Sequence, residues 1–107
     1  MFPQSAVDKT AMNARAQQKF RLYVAGSAKN SLQAIANLKA LCVQHLPGRH
    51  EIETVDVFKH PERALEDLVF MTPMLVRLGP APRTRVIGTL ADTHTVLNAL
   101  GLETAAT

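Results

Sequence analysis

The sequence predicts an α/β fold with the element order β-α-β-α-β-β-α, and three observations predict it. Phe20, Leu22 and Val24 alternate with other residues, and a second strand-like run passes through Ile52, Val55 and Val57, with a helical apolar period between the two. A strand, a helix-length crossover and another strand imply a right-handed parallel βαβ unit. Farther along, two more strand-like runs flank Gly79-Pro80-Ala81-Pro82, the composition of a turn in an antiparallel hairpin.

The first strand starts at Phe20, because Phe20-Arg21-Leu22-Tyr23-Val24-Ala25 is rich in aromatic and β-branched residues with one apolar face. Ahead of it, residues 1–19 lack either period and are expected to form a flexible tail, with a second short tail at 103–107. Gly26-Ser27-Ala28-Lys29 makes a loop. Asn30 or Ser31 is placed to cap the next helix, whose expected stripe is Leu32, Ile35, Leu38, Leu41 and Cys42, and Pro47-Gly48 ends it. The second strand covers 51–58. Its alternation slips between Ile52 and Val55, as a bulge or a strand covered on both faces would produce. Pro61 suits the first position of a helix running through Leu65, Leu68 and Val69, with Glu62 near the positive end of its dipole. Residues 71–78, entered through Pro73, give the third strand and 84–88 the fourth. Asp92 can cap a last helix that carries Val96, Leu97 and Leu100 on one side.

At 107 residues the chain fits one domain, expected over 20–102, and 47% hydrophobic with 20% charged residues excludes wholesale disorder. No run approaches the roughly 20 apolar residues of a membrane span, so a cytoplasmic protein without membrane partners is expected. The formal charge of +3 is distributed in blocks: +6 over 1–49, −4 over 50–76, +3 over 77–85 and −2 beyond. Alternating sign without interleaved aromatics argues against nucleic-acid binding. His45, His50, His60 and His94 form no pair at metal-ligand spacing, and Asp56 has no nucleophile near it in sequence. Neither a catalytic, a metal nor a cofactor site is therefore expected, and the chain is read as not an enzyme.

The element order, with Thr72-Pro73 leading into the third strand, is thioredoxin-like. The loop where such enzymes keep a cysteine pair holds Gly26, Ser27, Ala28, Lys29 and Asn30 instead. The one cysteine, Cys42, falls on the first helix's apolar stripe, where a small buried hydrophobe is expected rather than a reactive thiol.

Several segments in order carry a resemblance: Leu22-Tyr23-Val24-Ala25-Gly26 followed by Asn30-Ser31, Val55-Asp56-Val57 with Pro61 and Ala64, Thr72-Pro73, Pro80 and Pro82 with Arg85, and Val86-Ile87-Gly88. From about Phe20 to Leu102 the chain resembles the KaiB family of circadian clock proteins. That resemblance implies a non-enzymatic regulator, without cofactor, that binds a KaiC-type hexameric ATPase. It also implies a KaiA-type activator or a histidine kinase as further partners, and a role in clock-like timing or in stress adaptation and signalling. It implies two folds: the thioredoxin-like monomer that binds the partner, and a ground state ordered β-α-β-β-α-α-β in homodimers or homotetramers.

Partner contacts are expected at Arg21, Lys29, Asn30, Glu53, Arg83 and Arg85. Arg83 and Arg85 flank a hairpin tip and suit either docking of an acidic partner or charge that discourages edge-to-edge pairing. Thr72, Pro73, Pro80 and Pro82 are the expected switch and cis-proline positions, although prolines there also serve simply to shape turns. The chain departs from the family's usual pattern at Met71-Thr72-Pro73-Met74 and at Gly88-Thr89-Leu90-Ala91. Gln33 and Glu53 stand where clock members carry bases, whereas Arg21 and Arg85 keep their charge.

Overall fold

The structure, a computed structural model, describes residues 17–102; of the expected tails at 1–19 and 103–107, residues 1–16 and 103–107 lie outside the described residues. The elements are β1 (Gln18–Val24), α1 (Lys29–His45), β2 (His50–Asp56), α2 (Pro61–Glu66), β3 (Met74–Gly79), β4 (Thr84–Ile87) and α3 (Thr93–Ala99). This is the thioredoxin-like order; the alternative β-α-β-β-α-α-β order is not the one adopted here.

The sheet runs β2-β1-β3-β4. β1 pairs parallel to β2 and antiparallel to β3, and β3 pairs antiparallel to β4 as the hairpin reading required. β1 begins two residues before the expected Phe20. Gln18 and Lys19, read as tail, pair with His50 and Glu51, and the Gln18 N–H donates to the Arg49 carbonyl at 2.9 Å.

Alternation on β1 sends Leu22 to one face and Tyr23 to the other, and each face has its own apolar cluster. The larger joins Phe20, Leu22 and Leu75 to Ala34, Leu38, Leu41 and Cys42 of α1 and Val96, Leu97 and Leu100 around α3. The smaller joins Tyr23, Val55, Met74 and Val76 to Ala64 of α2. The slip in β2 is thereby explained: Ile52 packs against the first cluster and Val55 belongs to the second, so the strand is covered on both faces. The β1–β2 register is unbroken, and the irregularity falls instead at Lys19/Phe20 opposite β3.

Two helix expectations need correction. The buried face of α1 is Ser31, Ala34, Leu38, Leu41 and Cys42, and Leu32 is 53% exposed. Leu38, Leu41 and Cys42 are buried as expected and Ile35 packs against the core, but the first turn differs because Ser31 turns inward, where its Oγ accepts the Ala25 N–H at 2.9 Å. The N-cap is accordingly Ala28, without a side-chain cap bond, rather than Asn30 or Ser31. α2 ends at Glu66, because Leu68 takes φ +56, outside the helical region; Leu65 and Leu68 are exposed and Ala64 carries the packing.

The strand boundaries move by small steps. Met71, Thr72 and Pro73 precede β3 rather than joining it, and the Thr72-Pro73, Gly79-Pro80 and Ala81-Pro82 peptides are cis. Asp92 caps α3 as expected, its carboxylate accepting the Thr95 N–H at 3.2 Å.

Candidate functional site

The register places Glu53, Arg21, Val76 and Arg85 in one row across β2, β1, β3 and β4. Row partners share a face, and this row lies on the α2 side of the sheet. The short α2 and the turn after it bring Arg63 and Asp67 over that row. The result is a continuous ionic lattice.

Arg21 Nε donates to Glu53 Oε1 at 2.8 Å and its Nη1 to Asp67 Oδ2 at 3.0 Å. Arg63 Nη1 stands 2.8 Å from Glu53 Oε2, so that carboxylate is held between two guanidinium groups. Arg83 Nη2 reaches Asp67 Oδ1 at 3.3 Å. From beneath, the hydroxyl of fully buried Tyr23 lies between Asp67 Oδ2, to which it donates, and the Arg63 carbonyl oxygen at 3.2 Å. Arg85 donates to the Asp67 and Leu68 carbonyls, the latter at 3.1 Å, and lies 3.6 Å from Met74 Sδ.

Protonation follows from these contacts. Hydrogen bonds from Arg63 and Arg21 pull the Glu53 carboxyl down to about 2. The same pairing raises Arg21, with the Glu53 bond the largest cause. Burial by itself would raise Asp67, but the bonds from Tyr23 and Arg21 and the charge of Arg83 outweigh it and leave the carboxyl below its usual range. Tyr23 is pushed up, first by burial and then by the neighbouring Asp67. Four arginines thus face two ionised carboxylates, and Arg85 is bonded only to carbonyls and a thioether, leaving the lattice itself net positive.

Apolar side chains adjoin it. Leu65, Leu68, Phe70, Met71 and Ile87 are each more than half exposed. The basic lattice thus lies on the side of the sheet that also carries α2 with its exposed Leu65, followed by exposed Leu68, Phe70 and Met71. Among the described residues no group of three or more His, Cys, Asp or Glu is placed to hold a metal ion, and no helix is long and apolar enough to cross a membrane.

Of the residues singled out from sequence, Arg21, Glu53, Arg83 and Arg85 come together on this face. Lys29 and Asn30 do not: they lie exposed in the first turn of α1, on the helix that covers the opposite face. Thr72 and Pro73 sit at the entrance to β3, where the Pro73 carbonyl accepts the Gly88 N–H at 3.0 Å. Pro80 and Pro82 lie in the hairpin turn at the other end of β3. Asp56, which has no nucleophile near it in sequence, ties loops together: its Oδ1 accepts the Phe58 N–H at 2.9 Å and the Gly26 N–H at 3.1 Å. Those bonds, the Phe58 one foremost, keep its carboxyl ionised below the usual range. Gly26 holds φ +58 beneath the Phe58 ring, where an added Cβ would lie 3.3 Å from the ring. Sequence reasoning missed Tyr23, Arg63 and Asp67 as members of the lattice.

Residues 21–102 match the KaiB domain. The chain belongs to the KaiB family. Circadian clock protein KaiB3 of Synechocystis is 40% identical over 83 residues, covering 78% of this chain and 79% of that protein. Circadian clock oscillator protein KaiB of Prochlorococcus marinus is 38% identical over 91 residues, covering 85% of each. Among solved structures, the N-terminal domain of Synechococcus elongatus SasA superposes with TM-score 0.67 at 18% identity, covering 82% of this chain and 87% of that one. Fasciola hepatica thioredoxin gives TM-score 0.63 at 16% identity, covering 90% of both. These structural likenesses establish the thioredoxin-like fold of this KaiB-family chain.

Proposed function

We propose that this KaiB-family chain is a non-enzymatic regulator of a circadian or clock-like timing system, acting in the cytoplasm by binding a KaiC-type hexameric ATPase. The observation that carries this reading is the family match over 21–102, with relatives at 38–40% identity that are named circadian clock proteins. The arginine face supports it by offering a charged and apolar docking surface.

A thioredoxin-type redox role has no support in the site. Dithiol exchange needs a thiolate and a resolving thiol, and Cys42 is the only cysteine, buried on α1 with its thiol pushed by burial up to about 11. A fold-switched monomer is the binding form in this proposal, with a resting homodimer or homotetramer ordered β-α-β-β-α-α-β. The segment from Met71 onward is the part that changes, since Leu75, Val76 and Leu78 suit helix or strand. A KaiA-type activator adding to the β2 edge would meet exposed Glu51, Glu53 and Thr54, an acidic edge with Glu53 already engaged.

Native mass spectrometry of the protein with the KaiC-type ATPase of the same genome, followed over hours with ATP and then ADP, tests the proposal. Slow stoichiometric loading of the hexamer is the expected result. A persistent free oligomer with no complex at tens of micromolar would overturn it and move the function to an adaptor of a histidine kinase or of stress adaptation.

A further inference from the structure

Arg77 is used by nothing described so far. It is 2% exposed, and among the described residues no other charged side chain is buried. It takes part in none of the ion pairs among them. Nη1 donates to the Leu100 carbonyl at 2.6 Å, and Nη2 to the Pro82 carbonyl at 3.2 Å and Thr84 Oγ1 at 3.4 Å; Nε has no partner. A buried guanidinium without a carboxylate is costly, and burial accordingly lowers its pKa.

What this arginine does is join two elements. The end of α3 closes with Leu102 N–H on the Leu97 carbonyl at 2.9 Å and Gly101 N–H on the Asn98 carbonyl at 3.0 Å, with Gly101 at φ +70. Those bonds satisfy two of the helix's last carbonyls in the Schellman manner. The Leu100 carbonyl lies beyond them, at the negative end of the helix dipole, and Arg77 occupies it. The other donor of the same guanidinium grips the β3–β4 hairpin. α3 itself has seven residues, too few to hold helical structure alone. Its approach passes through buried Leu90 at φ +63, a conformation that disfavours a branched residue.

We propose that Arg77 is a latch: by bridging the Leu100 carbonyl and the hairpin it holds α3 closed over the sheet, and α3 opens as a unit, separately from β1 and α1, when that bridge breaks. Opening hydrates the guanidinium and frees Leu90 from its left-handed conformation, while it bares Val96, Leu97 and Leu100. The latch is independent of which partner the arginine face binds.

Native-state amide hydrogen exchange on the full chain tests it, comparing wild type with Arg77→Lys. A lysine keeps the charge but cannot span both carbonyls with a planar fork. The expected result is at least tenfold faster exchange at residues 96–102 with β1 and α1 amides unchanged. Parallel acceleration throughout, or no acceleration at α3, overturns the latch. If Arg77→Lys does not fold, the wild type decides: α3 amides must exchange at least tenfold faster than those of β3 as well as β1, with a weaker denaturant dependence, and equal protection of α3 and β3 overturns the proposal.

Discussion

The hydroxyl of Tyr23, near the end of β1, donates to the carboxylate of Asp67 in the turn after α2. This bond ties the small apolar cluster to the ionic lattice above it, because the Tyr23 ring packs with Val55, Ala64, Met74 and Val76 while its oxygen orients the residue that Arg21 and Arg83 engage. The Asp67 side chain is only 11% exposed, so a lost donor is poorly replaced by water. Tyr23→Phe is expected to cost about 1–3 kcal/mol in urea unfolding and to raise the Asp67 pKa, read by NMR titration. Unchanged stability and an unchanged Asp67 titration would refute the role given to this bond.

The lattice also fixes an acid limit. Folding lowers the pKa of Glu53 from 4.5 to about 2 and lowers that of Asp67. Groups depressed in the folded state contribute stability that is complete above their unfolded pKa and is lost as pH falls toward the folded one. Stability should therefore be flat with respect to these groups at neutral pH and decline as pH drops from 4.5 toward about 2. Glu53→Gln should flatten part of that decline, and the flattening should shrink in high salt because the Glu53 side chain is nearly half exposed. Denaturant midpoints across a pH series measure this; an identical pH profile for the variant would contradict it.

Ser31 makes a third test. It is buried at 1% exposure and its Oγ accepts the Ala25 N–H at the end of β1. Ser31→Ala leaves that N–H without its acceptor inside the domain, and a loss of about 1–2 kcal/mol is expected in thermal or urea unfolding. The Ala25 amide should lose its hydrogen-exchange protection more than amides in α1. Equal loss everywhere would mean that the hydroxyl only fills space.

Ser31 also shows where the sequence could be read and where it could not. The strands and their order were legible because alternation at Phe20, Leu22 and Val24 and the proline-framed hairpin are local signals. Along α1, Leu38, Leu41 and Cys42 were read correctly and Ile35 packs against the core, but the first turn was misplaced because periodicity counts Leu32 as apolar and cannot know that a loop amide needs the Ser31 hydroxyl. Leu68 failed for a related reason, since its apolar spacing continues a helix that its backbone leaves. In the site, Arg21, Glu53 and Arg85 were legible as charges on strands and Arg83 as one at the hairpin tip, and the pairing register then set the first three in one row. Asp67 was not legible, because nothing local marks it and its side-chain partners lie 16, 44 and 46 residues away.

The arginine face can be separated from the rest of the basic surface by charge reversal. Arg83 is half exposed and its one contact here is Asp67 at 3.3 Å, so Arg83→Glu should leave the fold standing while placing a carboxylate beside another. Lys29→Glu reverses the same charge on α1, which covers the opposite face. If the acidic side of a KaiC-type partner docks on the lattice, Arg83→Glu weakens the complex by about tenfold or more and reduces its sensitivity to salt, chiefly through slower association. Lys29→Glu then changes affinity by no more than about threefold, the scale of long-range steering alone. Association and dissociation rates measured at two ionic strengths distinguish the outcomes. Equal losses for both variants would mean that net charge, not this face, guides the partner, and a larger loss for Lys29→Glu would move the docking surface to α1.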